Sequence, residues 1–256
     1  METLQKSRPR EATVPCESCR NGAPLGFDIT MAFQPIVDIR ERTVFAYEAL
    51  VRGVDGAGAA SILERVNADN MYRFDQACRT KAVELASRLG MDCLLSINFM
   101  PNAVYDPATC IRATLSAARR FDFPTDRLLF ELSEREDAAD KAHLKSIFDD
   151  YTQRGFKTAI DDFGAGYAGL ALLVEFQPHF IKLDMNLLRG IDADPVRQII
   201  VKSMLTMCRK LGVEVIAEGI ETREEYTWFL NNGVRYAQGY LFARPGFESL
   251  PQVVWP

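Results

Sequence analysis

Short apolar runs recur along the chain, and between them lie longer stretches whose apolar residues return every three or four positions. The short runs read as strands buried on both faces, the longer stretches as amphipathic helices. Met31 to Val37 and Thr43 to Val51 are separated only by Asp38 to Arg42, which predicts an antiparallel hairpin. After a polar Gly/Ala-rich link, Gly53 to Ala60, the alternation becomes regular. A helix carries Met71, Phe74, Cys78, Leu85 and Leu89 on one face and ends at Gly90. Leu94 to Phe99 is a strand, and Asp106 with Pro107 opens a helix bearing Ile111, Leu115 and Ala118.

The same unit repeats to the end of the chain. Strand Leu128 to Leu132 precedes a helix with Leu144, Ile147, Phe148 and Tyr151 that stops at Gly155. Strand Lys157 to Asp162 breaks into a glycine-rich loop and a short helix, Leu170 to Phe176. Strand Phe180 to Asp184 leads to a helix that Asp194 and Pro195 start and Gly212 ends. Strand Glu214 to Ile220 is followed by a capping box, Thr222 with Glu225, and a helix closing at Gly233. Tyr236 to Phe242 is the last strand. Strands and helices in this order predict an α/β protein, a (β/α)8 TIM-type barrel whose first strand is antiparallel, spanning 29–256. Residues 1–28 are polar, hold Pro9, Pro15 and Pro24, and read as a tail.

Composition narrows the partners. The 256 residues are 48% hydrophobic and 25% charged, with a net charge of −5, which argues against a nucleic-acid backbone as partner. No apolar run reaches the length of a membrane span and no signal-peptide pattern opens the chain, so a cytoplasmic location is expected. Of six cysteines, Cys78, Cys93, Cys110 and Cys208 lie singly among apolar neighbours and read as small core residues. Cys16 and Cys19 form a lone C-x-x-C, half of a zinc site with no second pair nearby.

The strands also carry a polar series. Glu48, Asn98, Glu131, Asp161, Lys182, Glu218 and Gln238 each interrupt an apolar run towards the C-terminal end of a strand. In a barrel that end forms one face, where barrel enzymes do their chemistry. Clustered carboxylates repel unless a cation lies among them. Glu48, Glu131, Asp161, Asp162 and Glu218 are hard oxygen donors and Asn98 adds a neutral carbonyl, a set suited to Mg²⁺ or Mn²⁺ rather than zinc. His143 and His179 lie outside the strands, on a helix surface and in a loop. Five carboxylates exceed the needs of one ion, and two ions bridged by Asp161 would activate water for attack on a phosphodiester. Lys182 then stands beside the water as base, its pKa lowered by the metals, or serves as a salt-bridge partner of the carboxylates. A barrel with these groups is also compatible with proton abstraction next to a carboxylate, with Mg²⁺ holding an enolate.

At these positions the chain resembles the EAL-domain family of cyclic-di-GMP phosphodiesterases. Tyr47-Glu48-Ala49-Leu50-Val51-Arg52 is similar to the signature that names it. Asn98, Glu131 to Glu134, Asp161 to Gly164, Ile181 to Asp184, Ala217 to Glu221 and Gln238 to Tyr240 are similar to its other blocks, in order. The resemblance covers about 30–246. It implies hydrolysis of one phosphodiester of cyclic di-GMP to linear pGpG with two Mg²⁺ or Mn²⁺ ions. By that resemblance Glu48, Asn98, Glu131 and Asp161 hold one ion and Asp161, Asp162 and Glu218 the other. Glu48, Glu218 and Lys182 count as catalytic, with Lys182 as base. Gln34, Leu50, Arg52, Glu221 and Gln238 hold substrate or order the site, and Glu134 braces the loop after the paired aspartates. That loop reads Gly-Ala-Gly-Tyr-Ala-Gly where many members have Thr and two Ser, and the usual Pro-x-x-Phe-Ile-Pro stretch is replaced by Gly56 to Ala60. In these respects the chain is most similar to EAL domains attached to blue-light sensors. The alternative is a cyclic-di-GMP receptor or protein-interaction module on the same barrel. Oligomeric state is open, a homodimer included.

Overall fold

Strand β1 (Ile29–Asp38) runs antiparallel to β2 (Thr43–Gly53), as the short connection requires, and also to the last barrel strand. From β2 the sheet continues in parallel through β3 (Leu94–Asn98), β4 (Leu128–Ser133), β5 (Lys157–Phe163), β6 (Phe180–Leu183), β7 (Glu214–Ala217) and β8 (Tyr236–Gln238). β8 pairs back onto β1 and closes an eight-stranded barrel, the expected fold class. A two-residue strand, β9 (Gly246–Phe247), lies against the outer part of β1 and was not foreseen. The computed structural model describes residues 25–134, 140–166 and 169–256. Cys16, Cys19 and most of the expected tail lie outside the described residues.

The helices between strands are α1 (Ala59–Leu63), α2 (Met71–Arg88), α3 (Pro107–Arg120), α4 (Lys141–Gln153), α5 (Gly169–Glu175), α6 (Met185–Leu188), α7 (Pro195–Leu211) and α8 (Arg223–Asn231). Their starts follow local chemistry. Asp194 accepts from the amides of Val196 and Arg197, and Thr222 with Glu225 forms the expected capping box. Asp106 instead accepts from the Thr109 hydroxyl at 2.5 Å. α7 ends at Gly212, whose φ of 71° is open to glycine at little cost. α1 begins at the end of the expected link, at Ala59, and runs past it without having been expected, and α6, at one turn, is too short to leave a period in the sequence.

The barrel interior is built in two layers, because side chains two apart on a strand share a face. Ile36, Ala46, Leu129, Ala159, Phe180, Ile216 and Tyr236 form a buried apolar plug. Two residues further towards the rim on the corresponding strands come Gln34, Glu48, Glu131, Asp161, Lys182, Glu218 and Gln238. The plug shuts off the lower end, so the polar layer opens only upwards. A larger apolar core lies between the outer face of the sheet and the helices. Cys110 and Cys208 are buried there, and Cys78 and Cys93 are half-buried. Among the described residues no helix is long and apolar enough to cross a membrane.

Candidate active site

Lys182 stands at the centre of the polar layer with none of its surface exposed. Its Nζ lies 2.8 Å from Glu218 Oε1, 2.9 Å from Glu131 Oε2, 3.0 Å from Asp161 Oδ1 and 3.3 Å from Glu48 Oε2. The strand series foreseen from the sequence therefore converges on one point, but not all at strand ends. Glu48 sits in the middle of β2, which runs on because it belongs to a hairpin, and Glu218 lies one residue beyond β7. Asn98 Nδ2 donates to Glu48 Oε1 at 2.9 Å and Gln238 Nε2 to Glu48 Oε2 at 2.8 Å, which fixes that carboxylate from two sides. Gln34 lies opposite Glu48, accepts from Gln238 at 3.4 Å and donates to the Ala243 carbonyl at 3.2 Å.

Strand alternation would send Asp161 and Asp162 to opposite faces. The register of β5 against β6 slips between Ile160 and Phe163, and Asp162 adopts a left-handed φ of 53°. Such a bulge re-aims side chains, so both carboxylates turn to the rim. One oxygen from each of Glu48, Glu131 and Asp161 lies within 4.8 Å of the others, and the same holds for Asp161, Asp162 and Glu218. Asp161 is common to both groups. Glu134 braces the loop beyond the bulge: its carboxylate accepts from the amides of Gly164 at 2.6 Å, Gly166 at 3.3 Å and Gly169 at 2.6 Å. A Cβ at Gly169 would come within 2.9 Å of that carboxylate, so the close clamp depends on glycine there.

The electrostatics are unbalanced. Burial alone would lower the Lys182 pKa, yet Asp161, Glu131, Glu218 and Glu48 together carry it well above the ordinary lysine value. In this arrangement the lysine is an ammonium paired with four carboxylates. Burial pushes the Glu131 carboxyl up to about 8 and the Glu218 carboxyl well above its usual range, with the neighbouring carboxylates adding to both. Ser96 offers Glu131 a hydrogen bond but no charge, which leaves burial to dominate. Four carboxylates around one buried ammonium, with no sulfur or imidazole donor among them, fit a hard divalent cation.

A cleft of about 220 Å³ opens above the layer, lined by Gln34, Asp184, Glu218, Glu221, Tyr240 and neighbours. Asp184, Met185 and Tyr240 were not assigned roles from the sequence, because nothing in a strand pattern marks residues of the following loops. Gly219, at φ 66°, lets its loop touch Met185, which a Cβ would meet at 2.4 Å. Glu221 is exposed and paired with Arg189 at 2.9 Å. Arg52 is half-buried and donates to the Val51 carbonyl at 2.8 Å, while Leu50 lines a separate apolar cavity with Asn98. His143 is half-buried and bonds the Val104 carbonyl rather than facing solvent. His179 Nδ1 accepts from the Thr158 amide at 3.2 Å, far from the rim end of its strand.

The EAL domain profile matches residues 23–245. The chain is similar to the blue light- and temperature-regulated antirepressor BluF of Escherichia coli, at 30% identity over 88% of this chain and 56% of BluF. It is 29% identical to the probable cyclic di-GMP phosphodiesterase PdeG of E. coli over 85% of this chain and 45% of PdeG. It thus spans about half the length of these relatives. Among solved structures, a standalone versatile EAL protein from Vibrio cholerae O395 in its c-di-GMP-bound form superposes with a TM-score of 0.88 at 52% identity, covering 90% of this chain and 98% of that one. Klebsiella pneumoniae BlrP1 in a calcium/cyclic-diGMP complex gives 0.84 at 34% identity, over 91% and 60%.

Proposed function

This chain belongs to the EAL domain family, and on that premise we propose that it hydrolyses one phosphodiester bond of cyclic di-GMP to linear pGpG with two bound Mg²⁺ or Mn²⁺ ions. The observation that carries the proposal is the surplus of carboxylates around Lys182. The c-di-GMP in the V. cholerae and K. pneumoniae structures, with calcium in the latter, supports the substrate and the divalent ion. Glu48, Asn98, Glu131 and Asp161 would hold one ion, and Asp161, Asp162 and Glu218 the other. Such a pair supplies an activated water and offsets charge developing on the phosphate.

The chain's own residues do the rest. Asn98 and Gln238 keep the Glu48 carboxylate pointed at the centre, so that ligand is oriented before any ion arrives. Lys182 Nζ lies within 3.3 Å of all four carboxylates. With those carboxylates held by cations, the charges that raise its pKa would be offset, and Lys182 would be free to orient the water or accept its proton. Arg52 offers a guanidinium for bidentate contact with phosphate once it leaves the Val51 carbonyl. Tyr240 is 47% exposed at the cleft, with the Arg244 guanidinium 4.3 Å from its ring centre, and presents a face on which a purine can stack.

The test is incubation with cyclic di-GMP and Mg²⁺ followed by chromatography. Linear pGpG as the main product is the expected result, and unchanged substrate at high enzyme concentration would sink the reading. BluF is named an antirepressor, which favours one second reading: a cyclic-di-GMP receptor or protein-interaction module. Binding of the dinucleotide without turnover would decide for it.

A further inference from the structure

Behind β3 and β4, on the face away from the cleft, lies a second buried charged group. Asp75 and Arg79, one turn apart on α2, are 3% and 0% exposed and ion-pair at 2.8 Å. Arg79 Nη1 donates to the hydroxyl of Tyr151 on α4 at 2.7 Å, and Tyr151 is fully buried as well. The guanidinium carbon lies 5.5 Å from the ring centres of both Phe99 and Phe130. Asp75 Oδ1 accepts from the Met100 amide at 3.0 Å.

These contacts fall on particular places in the chain. Phe99 and Met100 follow Asn98 directly, and Phe130 precedes Glu131 directly. The two strands are linked there by the Phe99 amide donating to the Glu131 carbonyl at 3.0 Å. β3 ends at Asn98, and Asp75 takes the amide two residues beyond it, so the carboxylate acts where the ladder runs out. Phe99 packs on Phe130, Phe148 and Tyr151, but the other flank of the segment is open. A cavity of about 310 Å³, lined by Leu50, Leu63, Cys78, Asn98 and Met100, flanks it. A buried ion pair is a poor way to gain stability, since apolar side chains of the same volume often do as well or better. Its value here is directional: a carboxylate and a guanidinium grip the residues next to Asn98 and Glu131, and an apolar pair cannot hold an amide.

We propose that Asp75 and Arg79 are positioning residues, which set the spacing of Asn98 and Glu131 at the rim and so the affinity of the site for a divalent cation. This rests on the metal-dependent reading above. The test uses the full chain carrying Asp75→Leu together with Arg79→Met, with Mn²⁺ binding measured by calorimetry without nucleotide and unfolding measured in chelator. The expected result is a folded protein with a lowered melting temperature, because the Met100 amide and the Tyr151 hydroxyl lose their partners, and with Mn²⁺ affinity lower by roughly tenfold or more, the scale on which groups supporting a metal ligand act. In turnover, the Mn²⁺ concentration for half-maximal rate should rise by the same factor. Mn²⁺ affinity within twofold of wild type in the folded double variant overturns the proposal. Should that variant not fold, Asp75→Asn, which keeps volume and one oxygen, replaces it: weaker Mn²⁺ binding supports the positioning role and unchanged binding overturns it. Wild-type protein that binds no Mn²⁺ would bring down the metal reading itself, whereas equal binding by wild type and variant brings down only the positioning role.

Discussion

Two buried cations lie on opposite faces of the same sheet and keep different company. Arg79 has one carboxylate, Asp75, plus a tyrosine hydroxyl and two aromatic faces. Lys182 has four carboxylates within 3.3 Å. The first group balances its charge within itself, as buried groups must when nothing else is to come. The second has more carboxylates than its one ammonium can pair, so they hold protons in the metal-free fold and leave a standing demand for cations. Burial alone therefore says little about function. The charge balance of a buried cluster says more.

The strongest way to break this contrast is at the shared carboxylate. Asp161→Asn should cut hydrolysis of cyclic di-GMP by more than about a hundredfold, beyond what loss of a supporting group costs, and should abolish metal-dependent nucleotide binding. Near-normal turnover would mean that the paired aspartates are only turn residues. Lys182→Ala comes next. It should slow turnover by about 10²- to 10⁴-fold, the usual contribution of a group handling a proton, yet leave binding of cyclic di-GMP in Ca²⁺ intact by calorimetric titration. Loss of binding together with turnover would assign the lysine to holding the carboxylates in place.

A pH series sharpens the same contrast with a smaller effect. Glu131 has a pKa of about 8 in the fold, above the roughly 4.3 of an unfolded glutamate. Its bound proton stabilises the metal-free fold fully below pH 4.3, and that contribution is lost as the pH rises through 8. In chelator, the melting temperature should therefore decline between pH 6 and 9. With Mn²⁺ the decline should vanish, because the ion takes the place of the proton. A flat profile in chelator would show that Glu131 is ionised throughout. The smallest effect is expected at the balanced cluster. Tyr151→Phe removes one hydrogen bond to Arg79 and should cost about 1–2 kcal/mol in denaturant unfolding, with turnover within about twofold. A hundredfold loss of turnover there would place Tyr151 in the machinery of the rim.

Much of the barrel was legible because its layers repeat with the strand period. Ala46 with Glu48, Leu129 with Glu131 and Phe180 with Lys182 are each an apolar plug residue followed two places later by a rim residue, and the sequence displays that directly. Features that break the period stayed hidden. The bulge at Asp162 depends on pairing with β6, and short elements such as α6 and β9 leave no pattern of their own. Nothing in the sequence assigns Asp75 and Arg79 a role, because their partners Tyr151, Phe99 and Met100 are distant in the chain. Glu225 was read as a cap, which it is, but it also accepts from the Gly190 amide at 3.0 Å and ties two rim loops together.

The surplus of charge around Lys182 is tested most directly by counting the cations it takes. Wild-type protein and Asp161→Asn should be titrated with Mn²⁺ in the presence of cyclic di-GMP under single-turnover conditions, with bound ion followed by electron paramagnetic resonance. Two Mn²⁺ per wild-type chain, and a clear loss of bound ion in Asp161→Asn, are expected from two carboxylate groups that share that residue. A wild-type chain that binds none, or two chains that bind alike, would contradict the assignment of this cluster as a metal centre.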